Sequence, residues 1–306
     1  MLKLEDVVAK CRVAPGGKFR LKDHDPSWAG DEEVPKSKRK KFAEGVLARS
    51  VAELAEAQDR LYASDAWSVL VVLQAMDAAG KDGTIKHVMS GVNPQGCQVY
   101  SFKQPSAEEL DHNFLWRYTK ALPERGRIGI FNRSYYEEVL VVRVHPELAH
   151  AERIPGAEVN KSFWADRFED INNLERHLAR NGTKVLKFFL NVSKEEQRRR
   201  FLKRLNDPSR HWKFSPSDVS ERARWGDYMK AYQEAIAATS TRWAPWHVVP
   251  ADHKWVARAI VAHTIAEALE GLDLKYPDVP PAKMAAIEAA RRELEAEGEG
   301  RGKGGG

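Results

Sequence analysis

Val69-Leu-Val-Val-Leu-Gln-Ala-Met-Asp-Ala-Ala-Gly-Lys-Asp-Gly-Thr84 is the stretch that decides the fold of this chain. Its first part, Val69–Leu73, is apolar and rich in β-branched residues, which predicts a buried strand. A tight turn follows at residues 78–83, and Thr84-Ile-Lys-His-Val-Met then has helical spacing. Such a loop can bind phosphate, because its backbone N–H groups converge and the helix N-terminus adds partial positive charge. The stretch therefore predicts a phosphate loop with Lys81 as its cation.

The match to the common phosphate-loop pattern G-x-x-x-x-G-K-[ST] is incomplete. Ala75 stands where the first glycine belongs, and Asp82 follows the lysine where Ser or Thr belongs. A hydroxyl comes only at Thr84. From the pattern alone, a tight turn without a ligand stays open as an alternative.

Three longer segments resemble family 2 polyphosphate kinases and are most similar to the subgroup called class III. Residues 76–99, which begin Met76-Asp-Ala-Ala-Gly-Lys-Asp-Gly, resemble the family's Walker A region. Residues 129–146, with Phe131-Asn-Arg-Ser-Tyr-Tyr-Glu, are similar to its Walker B region. Residues 201–215, with Asn206-Asp-Pro-Ser-Arg-His-Trp-Lys-Phe, resemble its lid. The resemblance spans about residues 40 to 270 and has the three motifs in the family's order.

The resemblance implies a fold and an activity. The fold is α/β, a P-loop kinase-like three-layer α/β/α arrangement with a mostly parallel five-stranded sheet and a helical, arginine-rich lid. The activity is transfer of the terminal phosphoryl group of inorganic polyphosphate to AMP or ADP, and the reverse, with Mg²⁺. An ATP-dependent nucleoside monophosphate kinase and a non-catalytic polyanion-binding protein remain the alternatives.

Hydrophobic periodicity predicts strands that alternate with helices, which favours a parallel sheet with helices on both faces. The predicted strands are 69–73, 97–102, 127–131, 183–190 and 246–249. The predicted helices, besides the one after the phosphate loop, are 42–62, 108–121, 163–180, 194–205, 219–238 and 255–269.

We expect three regions along the chain. Residues 1–40 form an N-terminal arm, which its basic run Lys36–Lys41 marks as a solvated or dimer-wrapping segment rather than a nucleic-acid tail. Residues 41–275 form the catalytic domain, with the lid at about 197–217. Residues 276–306 form a charged helical tail whose end, Gly298–Gly306, is expected to be disordered.

The predicted catalytic residues are Asp77, Lys81, Arg133 and Glu137. Phosphoryl transfer requires positioning, a metal ion and cations around the transferring group. Asp77 follows the carboxyl end of the first strand, where open α/β sheets bind ligands. Many members of the family have an Asp metal ligand at the position of Asn132, so Glu137 is expected to hold the metal together with Asp77. A salt bridge between Arg133 and Glu137 is the structural alternative.

The resemblance and the loop pattern extend the site to residues that bind phosphate, nucleotide or polyphosphate. The phosphate- and nucleotide-binding candidates are Ala78, Ala79, Gly80, Asp82, Gly83, Thr84, Lys86 and Asn132. Residues 197–213 carry seven Lys or Arg and one Asp, which favours a polyanion ligand over a solvated face. The candidates for polyphosphate binding in this lid are Arg199, Arg200, Lys203, Arg204 and Lys213. Arg200 and Arg204 are expected to share one helix face.

Composition limits the partners and the location of the protein. The net charge of +5 over 306 residues does not by itself identify a polyanion partner. Two cysteines, no apolar leader in the first 12 residues and no long apolar run predict a cytoplasmic protein without disulfides or membrane spans. The expected partners are polyphosphate and adenine, possibly guanine, nucleotides, with no nucleic acid and no membrane. Relatives form dimers or tetramers, so a homodimer or homotetramer is expected. Gly226 replaces an acidic residue that the family usually has, and a weakened local helix is expected there.

Overall fold

A computed structural model describes the backbone of residues 4–301 and the side chains of residues 6–297. It contains one five-stranded sheet in the order β2-β3-β1-β4-β5, and all four strand pairs are parallel. The strands are β1 Ser68–Gln74, β2 Cys97–Ser101, β3 Ile128–Asn132, β4 Thr183–Asn191 and β5 Trp246–Pro250. The predicted α/β fold with five strands is confirmed. The sequence predicted a mostly parallel sheet, and in the structure every strand pair is parallel.

The helices alternate with these strands. Within the described residues they are α1 Leu4–Cys11, α2 Lys36–Ser64, α3 Lys81–Val88, α4 Ala107–Leu110, α5 Trp116–Thr119, α6 Glu137–Val144, α7 Glu147–Ala151, α8 Lys161–Arg180, α9 Lys194–Leu205, α10 Ser217–Ala223, α11 Trp225–Thr239, α12 Lys254–Glu270 and α13 Pro281–Arg301. Three short 3₁₀ segments lie at Leu21–Asp23, Pro94–Gly96 and Pro208–Lys213.

Strand β1 lies at the centre of the sheet, between β3 and β4. All seven of its residues are buried, as expected for a parallel strand covered on both faces. Its neighbour β3 runs in register with it, so that Leu73 pairs with Asn132. The carboxyl ends of β1 and β3 therefore meet at one edge of the sheet, where the phosphate loop begins.

The side chains of β4 alternate between the two faces of the sheet, and each face is covered by a layer of helices. Phe189 stacks on Tyr232 of α11, and Lys187 donates a hydrogen bond of 2.6 Å to Glu175 of α8. Successive strand side chains point to opposite faces, so Phe188 lies on the other side of the sheet. There α12 packs along α2 and α3. The result is the three-layer α/β/α arrangement.

The N-terminal region packs into the core rather than forming a solvated arm, and the alternative of a dimer-wrapping segment stays a prediction. Val7, Val8 and Cys11 of α1 are buried together, and the backbone N–H of Val13 donates to the carbonyl of Trp246 in β5 at 2.8 Å. Residues 7, 8 and 11 share one helix face, and this short apolar stripe is the signal that the sequence interpretation missed. The basic run also belongs to α2, which begins at Lys36.

Two predicted helices are each interrupted. The region 108–121 contains the short helices α4 and α5, because the side chain of Asn113 accepts the N–H of Leu115 at 3.1 Å and forms a turn between them. The region 219–238 divides at Arg224, which ends α10 and precedes α11. Gly226 lies in the first turn of α11, after this break, and the weakened local helix expected from it stays a prediction.

The described residues form two compact units that divide between Leu274 and Lys275. The second unit contains α13, as expected for a charged tail. This helix continues to Arg301, and residues 302–306 lie outside the described residues. The expected disorder of residues 298–306 stays a prediction. None of the helices in the described part of the chain has the length and apolar character to cross a bilayer. The assignment of separate roles to residues 1–40, 41–275 and 276–306 stays a prediction.

Candidate active site

The phosphate loop connects β1 to α3 through two residues in the left-handed region. Ala78 has φ +60° and Gly80 has φ +113°. Glycine adopts such angles freely, whereas alanine at this angle costs about 1–2 kcal/mol, so other contacts must hold Ala78. Alternating conformations of this kind turn successive N–H groups toward one side and form an anion-binding concavity. The loop ends where the N–H of Thr84 donates to the carbonyl of Gly80 at 2.9 Å and α3 begins.

Arg200 of α9 supports this loop through its carbonyl groups. Its Nη1 donates to Ala78 O at 3.1 Å and to Ala79 O at 2.5 Å. Its Nη2 donates to the carbonyls of Ala251 and Asp252 at 2.6 and 3.0 Å. The Nε donates to Glu196 at 2.7 Å, and Arg200 is 8% exposed.

The prediction that Arg200 and Arg204 present one polyanion-binding face is therefore corrected. The guanidinium of Arg200 donates hydrogen bonds to backbone carbonyl groups, because the first turn of α9 packs against the loop. Arg204 lies one turn further along and binds Asp218 at 3.2 Å. Arg200 is a positioning residue for the loop in this arrangement.

Lys81 lies inside the group of charged side chains expected from the sequence. Its Nζ donates to Ala75 O at 2.8 Å, at the start of the loop. Burial lowers the pKa of Lys81, as does the neighbouring Arg133, whereas Asp77, Glu137 and Asp82 act in the opposite direction. The amine is thus held at the loop, within electrostatic reach of both carboxylates proposed for the metal.

Arg133 brings together the two predicted carboxylates. It follows β3 with φ +66°, and its Nη2 donates to Asp77 Oδ1 at 2.8 Å. Its Nη1 lies 3.6 Å from Glu137 Oε2, which is the salt bridge considered as the structural alternative. The charge of Glu137 is the largest effect that raises the pKa of Arg133, and Asp77 adds to it. Asp77, which follows β1, and Arg133 and Glu137, which follow β3, therefore form one charged cluster.

Two glutamines that the sequence interpretation missed orient this cluster. Gln74 Nε2, at the end of β1, donates to Glu137 Oε1 at 2.7 Å. Gln197 Nε2, in α9, donates to the backbone carbonyl of Asp77 at 3.0 Å. An amide at the end of an otherwise apolar strand was a visible signal for Gln74. Nothing in the sequence indicates the contact of Gln197, which depends on where α9 docks.

Asn132 connects the loop with the edge of the sheet rather than with the two carboxylates. Its Nδ2 donates to Asp82 Oδ1 at 2.9 Å and to Ser101 Oγ at 3.3 Å. Lys213 Nζ, from the lid, lies 3.4 Å from the other oxygen of Asp82. Burial opposes ionisation, but the hydrogen bonds from Asn132 and Lys213 and the charges of Lys213 and Lys81 hold the pKa of Asp82 below its usual value. Asp82 thus binds the lid to the loop.

The remaining lid candidates differ in their surroundings. Arg199 is exposed and pairs with Glu196 at 2.6 Å, and Lys203 is exposed. Arg204 also donates to Lys213 O at 3.2 Å and lies over the ring of Phe201. Only Lys213 among the described lid candidates contacts a residue of the phosphate loop through its ammonium group.

The first turns of α3 hold the other loop candidates. Gly83 lies against α12, since a Cβ there would be 3.4 Å from Arg258 Nη2. Thr84 is buried and Lys86 is exposed. Gly80 and Gly83 thus lie on either side of Lys81, at positions where the backbone comes close to other groups. No contact among the described residues gives Lys86 a role in ligand binding.

A cavity of about 630 Å³ opens beside the charged cluster. This volume is in the range of small-molecule pockets. Asp77, Arg133 and Glu137 line one end of the cavity, and apolar and aromatic groups such as Phe114 and Val141 line other parts. The wall also contains Arg117, which donates to Tyr118 and Glu138. Sequence reasoning did not identify this cavity, because its wall combines the loops after β1, β2 and β3 with residues of α6, α10 and α11, which are far apart in the sequence.

Asp218 is a further acidic group in the cavity that sequence reasoning missed. It lines the cavity and binds Arg204 of the lid. Burial raises the pKa of Asp218, and the negative charge of Asp77 raises it further. A single Asp in the first turn of α10 gives no sequence signal for this position.

The carboxylates fit a divalent cation that also binds phosphate. Among residues 4–301, no group of three or more His, Cys, Asp or Glu converges as a complete protein site. Mg²⁺ in phosphoryl-transfer sites uses one or two carboxylates together with phosphate oxygens and water. Asp77 and Glu137, which share one guanidinium, supply such an incomplete set. Asn132 adds only an amide oxygen, because its nitrogen is used for Asp82 and Ser101.

Comparison with known proteins gives consistent matches over most of the chain. The family model described as Polyphosphate kinase 2 (PPK2) matches residues 36–277. An "ADP-polyphosphate phosphotransferase" of Rhodopseudomonas palustris is 55% identical over 81% of this chain and 86% of its own length. An "AMP/ADP-polyphosphate phosphotransferase" of Meiothermus ruber is 45% identical over 88% of this chain and 95% of its own length.

A solved structure agrees with the sequence matches. The crystal structure of polyphosphate kinase 2 from Arthrobacter aurescens TC1 superposes with a TM-score of 0.82 and 40% sequence identity. The alignment covers 94% of this chain and 97% of the other chain. The similarity therefore includes the sheet, the loop and the lid together.

Proposed function

Since the chain belongs to the polyphosphate kinase 2 family, we propose that it transfers the terminal phosphoryl group of polyphosphate to AMP, ADP or both. The reverse reaction uses the same site. The substrates follow the names of the relatives from Rhodopseudomonas palustris and Meiothermus ruber. The reaction is a phosphotransfer in which both substrates carry several negative charges.

One observation carries this proposal: Lys81, Asp77, Arg133 and Glu137 converge at the carboxyl ends of β1 and β3. Arg133 binds both carboxylates, and all three groups influence the pKa of Lys81. Parallel sheets bind ligands at this edge. Cations, carboxylates and a phosphate loop at one point are the parts that phosphoryl transfer requires.

Each side chain has a distinct role in the proposed reaction. Lys81 and Arg133 stabilise negative charge on the transferring group, and the convergent N–H groups of the loop hold the phosphate next to it. A bound phosphate favours the protonated form of Lys81 and so offsets the effect of burial on its pKa. Asp77 and Glu137 would hold a divalent cation, which supplies charge neutralisation between donor and acceptor oxygens.

The cavity beside the carboxylates is the proposed place of the acceptor nucleotide. Its end at Asp77 and Glu137 would face the reacting phosphate, and its apolar wall near Phe114 and Val141 would contact the base. The basic side chains of the lid would contact the donor. Lys213 contributes most directly, because its ammonium already reaches Asp82.

The two alternative functions make different use of the lid. A kinase that uses ATP needs cations for three phosphates, whereas the region 197–213 supplies seven Lys or Arg. A non-catalytic polyanion-binding protein has no use for Asp77 and Glu137, which oppose an anionic ligand in the absence of a metal. Both features favour the transferase that uses polyphosphate.

Several narrower proposals rest on the family resemblance and on composition. They are Mg²⁺ as the divalent cation, a homodimer or homotetramer, a cytoplasmic location, and guanine nucleotides as further acceptors. No nucleic acid and no membrane take part in the proposed reaction.

The test incubates the protein with Mg²⁺, long-chain polyphosphate and AMP or ADP, and separates AMP, ADP and ATP over time. The proposal predicts conversion of AMP to ADP, of ADP to ATP, or both, only with polyphosphate and metal present. Replacing polyphosphate by ATP with AMP as acceptor tests the kinase alternative. Phosphorylation of AMP with ATP as the donor, and none with polyphosphate as the donor, would contradict the proposal.

A further inference from the structure

A buried group of polar side chains contacts the segment 133–137, which leads from β3 into α6. We call this group the buried tyrosine network. Its members are fully buried, and they are Tyr135, Tyr136, Glu175 and Lys187. The two tyrosines belong to the segment, whereas Glu175 comes from α8 and Lys187 from β4.

Hydrogen bonds connect all four side chains of the network. Tyr135 and Tyr136 donate to the same oxygen, Glu175 Oε1, at 3.0 and 2.9 Å. Lys187 Nζ donates to Glu175 Oε2 at 2.6 Å, to the hydroxyl of Tyr136 at 2.9 Å and to the carbonyl of Thr239 at 2.7 Å. The three donors of the ammonium group are therefore all used.

The network contributes more to the arrangement of the chain than to its stability. Burial of an ion pair costs desolvation energy, and apolar side chains of similar volume often stabilise a core as well or better. A fully paired polar network instead selects one arrangement of the elements that it connects. Here it connects α8, β4 and the end of α11 to the segment 133–137.

The same segment presents its first and last residues to the charged cluster. Arg133 Nη2 donates to Asp77 Oδ1 at 2.8 Å, and Glu137 Oε1 accepts from Gln74 Nε2 at 2.7 Å. Three residues lie between Arg133 and Glu137, and two of these are the tyrosines of the network. A shift of the tyrosine side chains therefore moves the backbone that carries both charged groups.

Arg133 also depends on its neighbours for its backbone conformation. Its φ of +66° lies in the left-handed region, which costs energy for a residue with a side chain. Such a conformation persists only where the surrounding structure fixes it. The N–H of Arg133 donates to the carbonyl of Leu73 at 3.1 Å, which holds the segment on β1 at its start. The two tyrosines hold the chain on the other side of this residue.

We propose that the buried tyrosine network consists of positioning residues for phosphoryl transfer, which place Arg133 and Glu137 relative to Asp77. None of its four members lines the cavity, so they act through the segment and not on a substrate. The catalytic part of this inference rests on the proposed function, whereas the placement of the two side chains does not.

The test removes the tyrosine hydroxyls and keeps the aromatic rings. Tyr135→Phe, Tyr136→Phe and the double variant lose the donors to Glu175, while the apolar packing stays in place. Thr183→Val is the matched control, because it removes a buried hydroxyl that lies 2.9 Å from Ser68 Oγ. This pair lies at the amino ends of β4 and β1, at the opposite edge of the sheet from the site.

We expect kcat to fall by about tenfold to a hundredfold in the double variant, because small displacements of catalytic groups are costly. The KM values for polyphosphate and for the nucleotide should change much less, since the displaced groups act mainly on the transition state. Thr183→Val should lower the melting temperature and leave kcat, measured well below that temperature, unchanged. A double variant that also melts earlier and keeps the wild-type kcat would overturn the proposal. The single variants provide the same comparison if the double variant does not fold.

Crystal structures of the variants test the placement without turnover. The distances from Arg133 Nη2 to Asp77 Oδ1 and from Gln74 Nε2 to Glu137 Oε1 are 2.8 and 2.7 Å. In the double variant or Tyr136→Phe, at least one of them should exceed about 3.5 Å, beyond hydrogen-bond range. Such a displacement supports the inference even if the wild-type protein phosphorylates no nucleotide. Unchanged distances contradict it even if the wild-type protein is an active polyphosphate kinase.

Discussion

Arg200 Nη1 donates a hydrogen bond of 2.5 Å to the carbonyl oxygen of Ala79. This contact turns a carbonyl of the phosphate loop toward α9, away from the side where its N–H groups converge. It also explains how Ala78 keeps a left-handed backbone angle, since the carbonyl of Ala78 accepts from the same nitrogen. An arginine of the lid helix thus acts from behind the loop rather than on the polyanion.

We predict that Arg200→Gln lowers kcat and stability and leaves the salt dependence of polyphosphate binding unchanged. The loss of buried, charged hydrogen bonds should cost about 1–3 kcal/mol of unfolding free energy. Arg204→Gln is the matched variant one turn along α9, and its smaller burial predicts a smaller loss. Steady-state kinetics at several salt concentrations, with thermal unfolding, measure both effects. A flatter salt dependence in Arg200→Gln would show that Arg200 binds polyphosphate directly.

Lys81→Ala should abolish phosphoryl transfer and leave the protein folded. The removed cation faces the charge that develops on the transferring group, and a loss of only 1.4 kcal/mol of transition-state stabilisation reduces the rate about tenfold. The measurement is kcat together with a circular dichroism melt. A folded variant that keeps more than about a tenth of the wild-type rate would exclude Lys81 as the cation of the loop.

Glu137→Gln should impair metal-dependent turnover more strongly than Asn132→Ala. Glu137 offers a carboxylate next to Asp77 on Arg133, whereas the amide of Asn132 is used for Asp82 and Ser101. Titration of Mg²⁺ against rate in the two variants measures the difference. An unchanged metal requirement in Glu137→Gln, together with an increased one in Asn132→Ala, would show that the metal binds at Asn132, at the end of β3, rather than at Glu137.

His247 should make stability depend on pH between about 6.5 and 4. Burial among the cations Arg12, Lys184 and Lys187 lowers the pKa of His247 from 6.5 to about 4. The unfolded chain therefore binds a proton that the native state does not bind, and stability falls as the pH decreases through this interval. The loss from this group reaches about 3 kcal/mol at the acidic end.

The variant His247→Asn cannot titrate in this range and provides the control. The difference in unfolding free energy between the wild-type protein and the variant, from denaturant melts, should shrink as the pH falls from 6.5 to 4. A difference that stays constant with pH would mean that His247 is protonated equally in both states.

The strand prediction succeeded where burial on both faces leaves a simple apolar pattern, as in β1 and β4. The charged cluster was also predictable, because Asp77 and Arg133 follow strands whose carboxyl ends meet in a parallel sheet. The core position of Val7, Val8 and Cys11 was missed, since an eight-residue helix gives little periodicity. The turn at Asn113 was missed because a side-chain hydrogen bond ends a helix that hydrophobic spacing would continue.

The roles of Arg200 and Gln197 could not follow from spacing alone. Helical geometry places Arg200 and Arg204 near one another, but it does not show that the first turn of α9 docks on the phosphate loop. The carbonyls that Arg200 binds come from two distant parts of the chain, Ala78–Ala79 and Ala251–Asp252. Docking of this kind is a property of the tertiary structure, and it converts a predicted ligand-binding arginine into a positioning residue.

The transfer of a labelled phosphoryl group tests the central claim most directly. The protein is incubated with polyphosphate labelled throughout with ³²P, unlabelled ADP and Mg²⁺, and the nucleotides are separated. The account predicts label in the γ-phosphoryl group of ATP for the wild-type protein and none for Lys81→Ala. Absence of label in ATP and ADP with either ADP or AMP as acceptor, while unlabelled ATP phosphorylates AMP, would contradict it.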